Sequence, residues 1–364
     1  MEEAWSSEFS RSLAVLAVSV ALLTLIAPRA KSAPGNSGYH LLREIPLANV
    51  TGWDYLAVDP AGRRLYISDN SGAIVFDIDA DKVVGSVPNP PFKHGIGFVH
   101  GVALARELDR GFLSHEVPPS VVIFDLKTMA ETGLAPTSPG TDAVVYDSFS
   151  KHVFTFNGKK VGVHNATVID ASTGKSVQTV PLPGVPEFAA VDNMGHLYVN
   201  IASKSEMAEI DTRTLRLTAV WPLAPCENPS GLAIDAANHR LFVGCDNRLM
   251  AMVNAITGKV LATVPIGDGV DADVFDPATG YAFASCGDGT LTIAHEASPE
   301  KLELIEHVKT APGARTMALD LKTHRVFLLS ATFERHRPAK PTADNPHQYP
   351  MMVPGSAKLL VFSQ

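Results

Sequence analysis

Along most of this chain, apolar and polar positions alternate in short runs broken by Asp, Gly, Asn and Pro, a period that predicts half-buried β-strands rather than helices. One run recurs. "LAVDPAGRRLYIS" around Asp59 returns as "VALARELDRGFLS", "AVVYDSFSKHVFT", "AAVDNMGHLYVN", "LAIDAANHRLFVG", "ADVFDPATGYAFA" and "MALDLKTHRVFLL". Aligned on Asp59, Ala105, Asp147, Asp192, Asp235, Asp276 and Asp320, the copies lie 46, 42, 45, 43, 41 and 44 residues apart. Each unit carries four strand patterns. In the fifth these are "SGLAID", "RLFVG", "LMAMVNA" and "GKVLATVPI", separated by the turn sequences "DAANH" and "ITG". A repeat of this length with four strands per unit predicts an all-β, seven-bladed β-propeller. The seventh unit ends at "KLLVFSQ", one strand short, while "YHLLREIPLA" (Tyr39 to Ala48) reads as an outermost strand ahead of the first inner one. Its pairing with the last blade would close the ring and remove a free edge.

The copies resemble the YVTN-type repeat, P-x-G-V-A-V-x-P-D-G-x-x-V-Y-V, which "NPSGLAIDAANHRLFVG" and "LAVDPAGRRLYIS" match over most of their length. The chain is similar to YncE-like bacterial propellers over about residues 39 to 364. That resemblance implies fold more than activity, since similar propellers include lactone hydrolases, surface-layer proteins, a DNA binder and domains of redox enzymes. The Gly-His and Trp-Asp signatures of WD40 repeats do not recur with the period.

Five residues before each alignment point, the innermost strand begins at the mouth of the central channel. That position reads Asp54, His100, Asp142, Glu187, Ser230, Asp271 and Arg315 through the seven units. The repeat usually carries a small residue there. Six of the seven copies are ionisable, which predicts a ligand pocket built from Asp54, His100, Asp142, Glu187, Asp271 and Arg315; a solvated ring of charges is the competing reading. Acids flank His100 on both sides, an arrangement that favours its imidazolium unless a bound cation replaces the proton. The turn between the second and third strands faces the same mouth and adds His115-Glu116 in the second unit. His100, His115, Asp54 and Asp142 are therefore candidate ligands for a divalent metal, although their spacing is not a known metal signature. The corresponding turn of the seventh unit, residues 331–357, contains five prolines. It is a candidate lid with Tyr349, Met351 and Met352 at its apolar tip.

Ahead of the repeats, "LAVLAVSVALLTLIA" (Leu13 to Ala27) is too short for a comfortable membrane span and is followed by small residues suited to cleavage after Ser32 or Ala33. Residues 1–33 read as a signal peptide and residues 34–364 as a single propeller domain, placing the protein in the periplasm or outside the cell with no stable membrane insertion after cleavage. The first residues, "MEEAWSSEFSR", carry three acids where a basic segment is expected, so an uncleaved anchor is the alternative. With 30 basic and 38 acidic residues, the chain has a formal charge of −8, which disfavours a nucleic-acid surface. Three cysteines allow one disulfide, and Cys226 with Cys245 is one pairing the layout admits.

No sequence motif names a cofactor or a chemistry: there is no phosphate-cradling Gly loop, no Gly-x-Ser-x-Gly elbow, no HExxH and no CxxCH. The expected function is an exported module binding a small molecule or a periplasmic protein at the channel face. Two alternatives come with the resemblance. A lactone or ester hydrolase would use His100 or Glu187 as general base and Arg315 at the oxyanion. Single-stranded DNA binding is the other, and the net acidity opposes it.

Overall fold

The computed structural model describes residues 35–70, 72–88, 98–158, 162–334 and 351–364. Residues 1–33, expected to be a signal peptide, and Tyr349 lie outside the described residues. Seven four-stranded antiparallel sheets form the ring, six of them in simple chain order from the innermost strand outward. The seventh is ordered His40–Pro46, Lys358–Ser363, Arg325–Ser330, Met317–Asp320, so the amino-terminal strand supplies its outer edge. Leu41 lies opposite Phe362, and Ile45 opposite Leu359. The Tyr39 hydroxyl donates to the His324 carbonyl at 2.8 Å and fixes the start of this strand.

Strand alternation explains how the blades pack. In the second strand of blade 1, Arg64–Asp69, Leu65 and Ile67 enter a cluster shared with Phe327, Leu359 and Val361 of blade 7. Tyr66, between them, points the other way, into a cluster with Leu113, Val122 and Phe124 of blade 2. Period-2 patterning thus gives each sheet two apolar faces, one for each neighbour. Each hydrophobic cluster among the described residues spans two adjacent blades. Phe112, Phe154, Phe242 and Phe283 are fully buried in these interfaces, where each side chain contributes roughly 1.5–3 kcal/mol of transfer free energy. Outer strands carry the polar residues: Lys175–Pro181 is exposed at all of its seven positions but Val180, which is buried.

The repeated Asp at the end of the innermost strand is a turn device on the face opposite the mouth. Asp147, Asp192 and Asp235 each accept two backbone N–H groups of the turn that follows. The same carboxylates tie neighbouring blades together. Arg106 of blade 2 meets Asp59 of blade 1 at 2.8 Å, His324 of blade 7 meets Asp276 of blade 6 at 2.7 Å, and Arg63 of blade 1 meets Asp320 of blade 7 at 2.9 Å.

Cys226 and Cys245 form a disulfide joining the lead-in of blade 5's inner strand to the end of its second strand. Cys286 is a buried free thiol whose pKa burial and the nearby Asp273 carboxyl push up to about 12, too high for a nucleophile at neutral pH.

Asp273 itself occupies a position that is apolar in the other blades, where Leu56, Val102, Val144, Ala189, Leu232 and Met317 stand. Its side chain lies in the blade 5/6 interface against two glycines. A Cβ on Gly244 would approach its carboxylate oxygens to 2.8 and 2.9 Å, and one on Gly231 would come within 2.7 Å of its backbone nitrogen. Both carboxylate oxygens are buried without a hydrogen-bond partner among the described residues, and burial holds the group well above the usual carboxylate range. A raised acid pKa means that the folded state holds a proton the unfolded state releases, so stability falls as pH rises above about 4, the unfolded value. Asp273→Asn should therefore raise unfolding free energy at pH 7 by at least about 1 kcal/mol, at ~1.4 kcal/mol per unit of pKa elevation. The advantage should vanish in urea titrations below pH 4; an advantage independent of pH would place its cause in packing instead.

Candidate functional site

A common local device aims the mouth residues. In blades 2 to 6 the register between the first two strands shifts at the start of the innermost strand: between Val99 and Val102, Thr141 and Val144, Pro186 and Ala189, Pro229 and Leu232, and Val270 and Ala272. His100, Asp142, Glu187, Ser230 and Asp271 fall inside these bulges. In blades 1 and 7 the strand begins at Leu56 and Met317, just after Asp54 and Arg315. A bulge leaves backbone groups outside the ladder and re-aims a side chain. Buried polar residues of the second strand take up those groups: Ser68 accepts from Asp54 N at 2.9 Å, Ser114 from Gly101 N at 2.7 Å, and Asn200 donates to the Gly231 carbonyl at 3.0 Å. Ser285 donates to the Ala272 carbonyl at 3.2 Å and also to that of Arg315.

Three of the ionisable side chains meet. His100 Nδ1 lies 2.7 Å from Asp54 Oδ2 and 3.3 Å from Asp142 Oδ1, and one ligand atom from each of the three falls within 4.8 Å of the others. On the far side of the ring, Nε2 lies 3.5 Å from Glu116 Oε2. His100 and Asp142 are buried while Asp54 and Glu116 keep partial exposure, so the cluster sits just under the surface. Phe98 packs beside the imidazole with ring centroids 4.8 Å apart.

His115 is buried and faces its own turn, with Nδ1 3.1 Å from the Pro118 carbonyl, and burial lowers its pKa. It lies outside the three-residue cluster. Asp271 and Arg315 form an ion pair across neighbouring blades, Nε to Oδ2 3.0 Å, and Ser230 of blade 5 reaches Asp271. Glu187 lies farther round the mouth.

Two residues outside the ionisable position organise the centre. Tyr55 follows Asp54, and Phe188 follows Glu187, at the position that is Gly, Ala or Thr in the other blades. Their rings lie 4.3 Å apart, so side chains of blades 1 and 4 meet across the channel. The Tyr55 phenol is held far above its usual pKa, first by burial and then by the carboxylates of Asp142, Asp54, Glu187 and Asp271. Four acids from four blades therefore favour the neutral hydroxyl. Beyond this aromatic pair, toward the opposite face, lies a cavity of about 520 Å³ lined mainly by apolar inner-strand residues such as Leu56, Val144 and Leu232, with Asp273 at one wall. The ionisable groups are thus concentrated on the mouth side.

Near the mouth, the base of the long blade 7 turn is a hairpin. Phe333 pairs with Met352, Glu334 N donates to the Met351 carbonyl at 2.8 Å, and Phe333 lies 6.0 Å from Trp53. Met351 and Met352 stand in this root rather than at an apolar tip.

Ring and mouth together define a seven-bladed β-propeller. No family model matches the chain, and no curated protein matches its sequence. Among solved structures, 1801 chains match, and a fold shared so widely does not select an activity. One is the Kuenenia stuttgartiensis hydrazine synthase, 14% identical with a TM-score of 0.66 over 77% of this chain and 93% of that one. At that identity the likeness shows the fold alone.

Proposed function

We propose that this protein is an exported binding module that takes a positively charged ligand at the mouth of its channel. The observation that carries this reading is the meeting of Asp54 and Asp142 at His100, in a mouth position that also carries Glu187 and Asp271. The excess of carboxylates favours cations and repels the phosphate backbone of nucleic acids. Resemblance to YncE-like propellers and the disulfide in blade 5 support placement in an oxidising, extracytoplasmic compartment. Binding is preferred to lactone hydrolysis because the arginine that would serve an oxyanion is already held by Asp271.

The test is charge selectivity. Protein freed of metal by chelation is titrated with small cationic and anionic compounds and with divalent ions, and saturable shifts in unfolding temperature are recorded. Cations should stabilise it and anions should not. Glu187→Gln should weaken binding about tenfold, the scale of one hydrogen bond to a charged group. Preference for anions, or binding indifferent to Glu187→Gln and Asp271→Asn together, would overturn the reading.

A further inference from the structure

Resting on the mouth as a cation-binding face, we infer that its ligand is a divalent first-row transition ion, zinc or manganese in type, held by His100 Nδ1 and the carboxylates of Asp54 and Asp142. The spacing has the scale of a coordination sphere. Metal–ligand bonds of about 2.0–2.2 Å leave neighbouring ligand atoms roughly 3 Å apart. Nδ1 stands 2.7 and 3.3 Å from the two carboxylate oxygens, so an ion can settle among them with small side-chain movements. The charge also matches, because two carboxylates and a neutral imidazole neutralise a dication.

A second observation concerns the other imidazole nitrogen. His100 Nε2 faces Glu116 at 3.5 Å, the relationship in which a metal-ligating histidine donates its remaining N–H to a carboxylate that fixes its tautomer and raises its basicity. With an ion bound, Glu116 would accept from Nε2–H and Nδ1 would give the metal its lone pair in place of the proton it otherwise donates to Asp54 at 2.7 Å. A proton on Nδ1 points along one direction, whereas an ion at the same place is shared by both carboxylates.

Backbone restraint makes the cluster a preformed site rather than three mobile surface groups. The His100 carbonyl accepts from Tyr55 N at 3.1 Å, and Asp54 N is anchored on Ser68, so blades 1 and 2 hold the two ligands in fixed relation. Asp142, from blade 3, is buried to 4% exposure. Nitrogen plus carboxylate ligation suits zinc and manganese, while the single imidazole makes an all-oxygen calcium cage a poor description.

The experiment uses the chelator-treated chain titrated with Zn²⁺ and, separately, Mn²⁺, followed by desalting and elemental analysis, with unfolding temperature as a parallel readout. The expected result is one ion per chain and a saturable rise in unfolding temperature. His100→Gln and Asp142→Asn should each weaken affinity at least 100-fold, and Glu116→Gln about tenfold, with Glu300→Gln, in an exposed outer turn of blade 6, leaving affinity and stoichiometry unchanged. Circular dichroism of each variant separates lost binding from lost folding, and Asp142→Asn stands in if His100→Gln does not fold. No retained ion, or equal affinity in both ligand variants, would overturn the site. Organic cations that bind equally well with and without chelation, and still respond to Glu187→Gln, would sink the metal while leaving the mouth as the binding face.

Discussion

Replacing Arg63 with methionine should destabilise the propeller by about 3 kcal/mol, because it strips the partner from a buried carboxylate. The Arg63 guanidinium makes two bonds of 2.9 Å to Asp320, whose side chain is fully buried, and a further pair to the exposed Asp79. Methionine keeps much of the stem's packing and the left-handed backbone conformation at this position, so the loss is electrostatic rather than volumetric. Asp320 would retain only Lys322 N and the Thr323 hydroxyl as donors. The pair joins blade 1 to blade 7, the blade in which the amino-terminal strand closes on the carboxy-terminal one, so the ring should open there first. Urea unfolding measures the loss, and Asp320→Asn in the Arg63→Met background should restore part of it. A loss below about 0.5 kcal/mol would mean that solvent screens the pair as it does on an ordinary surface.

How much of this was legible in the sequence depends on whether a feature repeats. The blades, their order and the closing strand follow from a pattern written seven times, and each copy corrects the noise in the others. The ionisable position at the mouth was legible for the same reason: Asp54, His100 and Asp142 stand out against the small residue the repeat carries there. Features that occur once, or work through space, were not. Tyr55 and Phe188 replace small residues at the adjacent position, a visible signal, yet their contact crosses the channel between blades far apart in the chain. Asp273 breaks an apolar column, but its meaning depends on Gly231 and Gly244 of the neighbouring blade, which make room for it. His115 shows the opposite limit. Its spacing places it near His100, and the local geometry of its turn directs it to the Pro118 carbonyl.

Loss of the Cys226–Cys245 bond should cost about 3 kcal/mol, the chain-entropy value for a loop of this size, here a sequence separation of 19. The bond closes the segment that enters blade 5, where Asn247 also holds the lead-in by donating to the Pro225 carbonyl at 2.7 Å and accepting from Glu227 N at 3.2 Å. These contacts should keep the native geometry when the sulfurs are removed, so Cys226→Ala with Cys245→Ala should fold with a lower urea midpoint and an increased m-value. Thiol titration gives an independent reading on the unaltered chain. Cys286 is buried with its thiol pushed up to about 12, so the native protein should show no reactive thiol, the unfolded protein one, and the reduced unfolded protein all three. The proposed export gives the same count a second use. Chains recovered from an oxidising compartment should titrate one thiol on unfolding, and chains held in a reducing cytosol should titrate three and unfold at lower urea. Equal counts of three from both sources would remove the disulfide from the argument for export, which would then rest on the amino-terminal segment and the resemblance to YncE-like propellers.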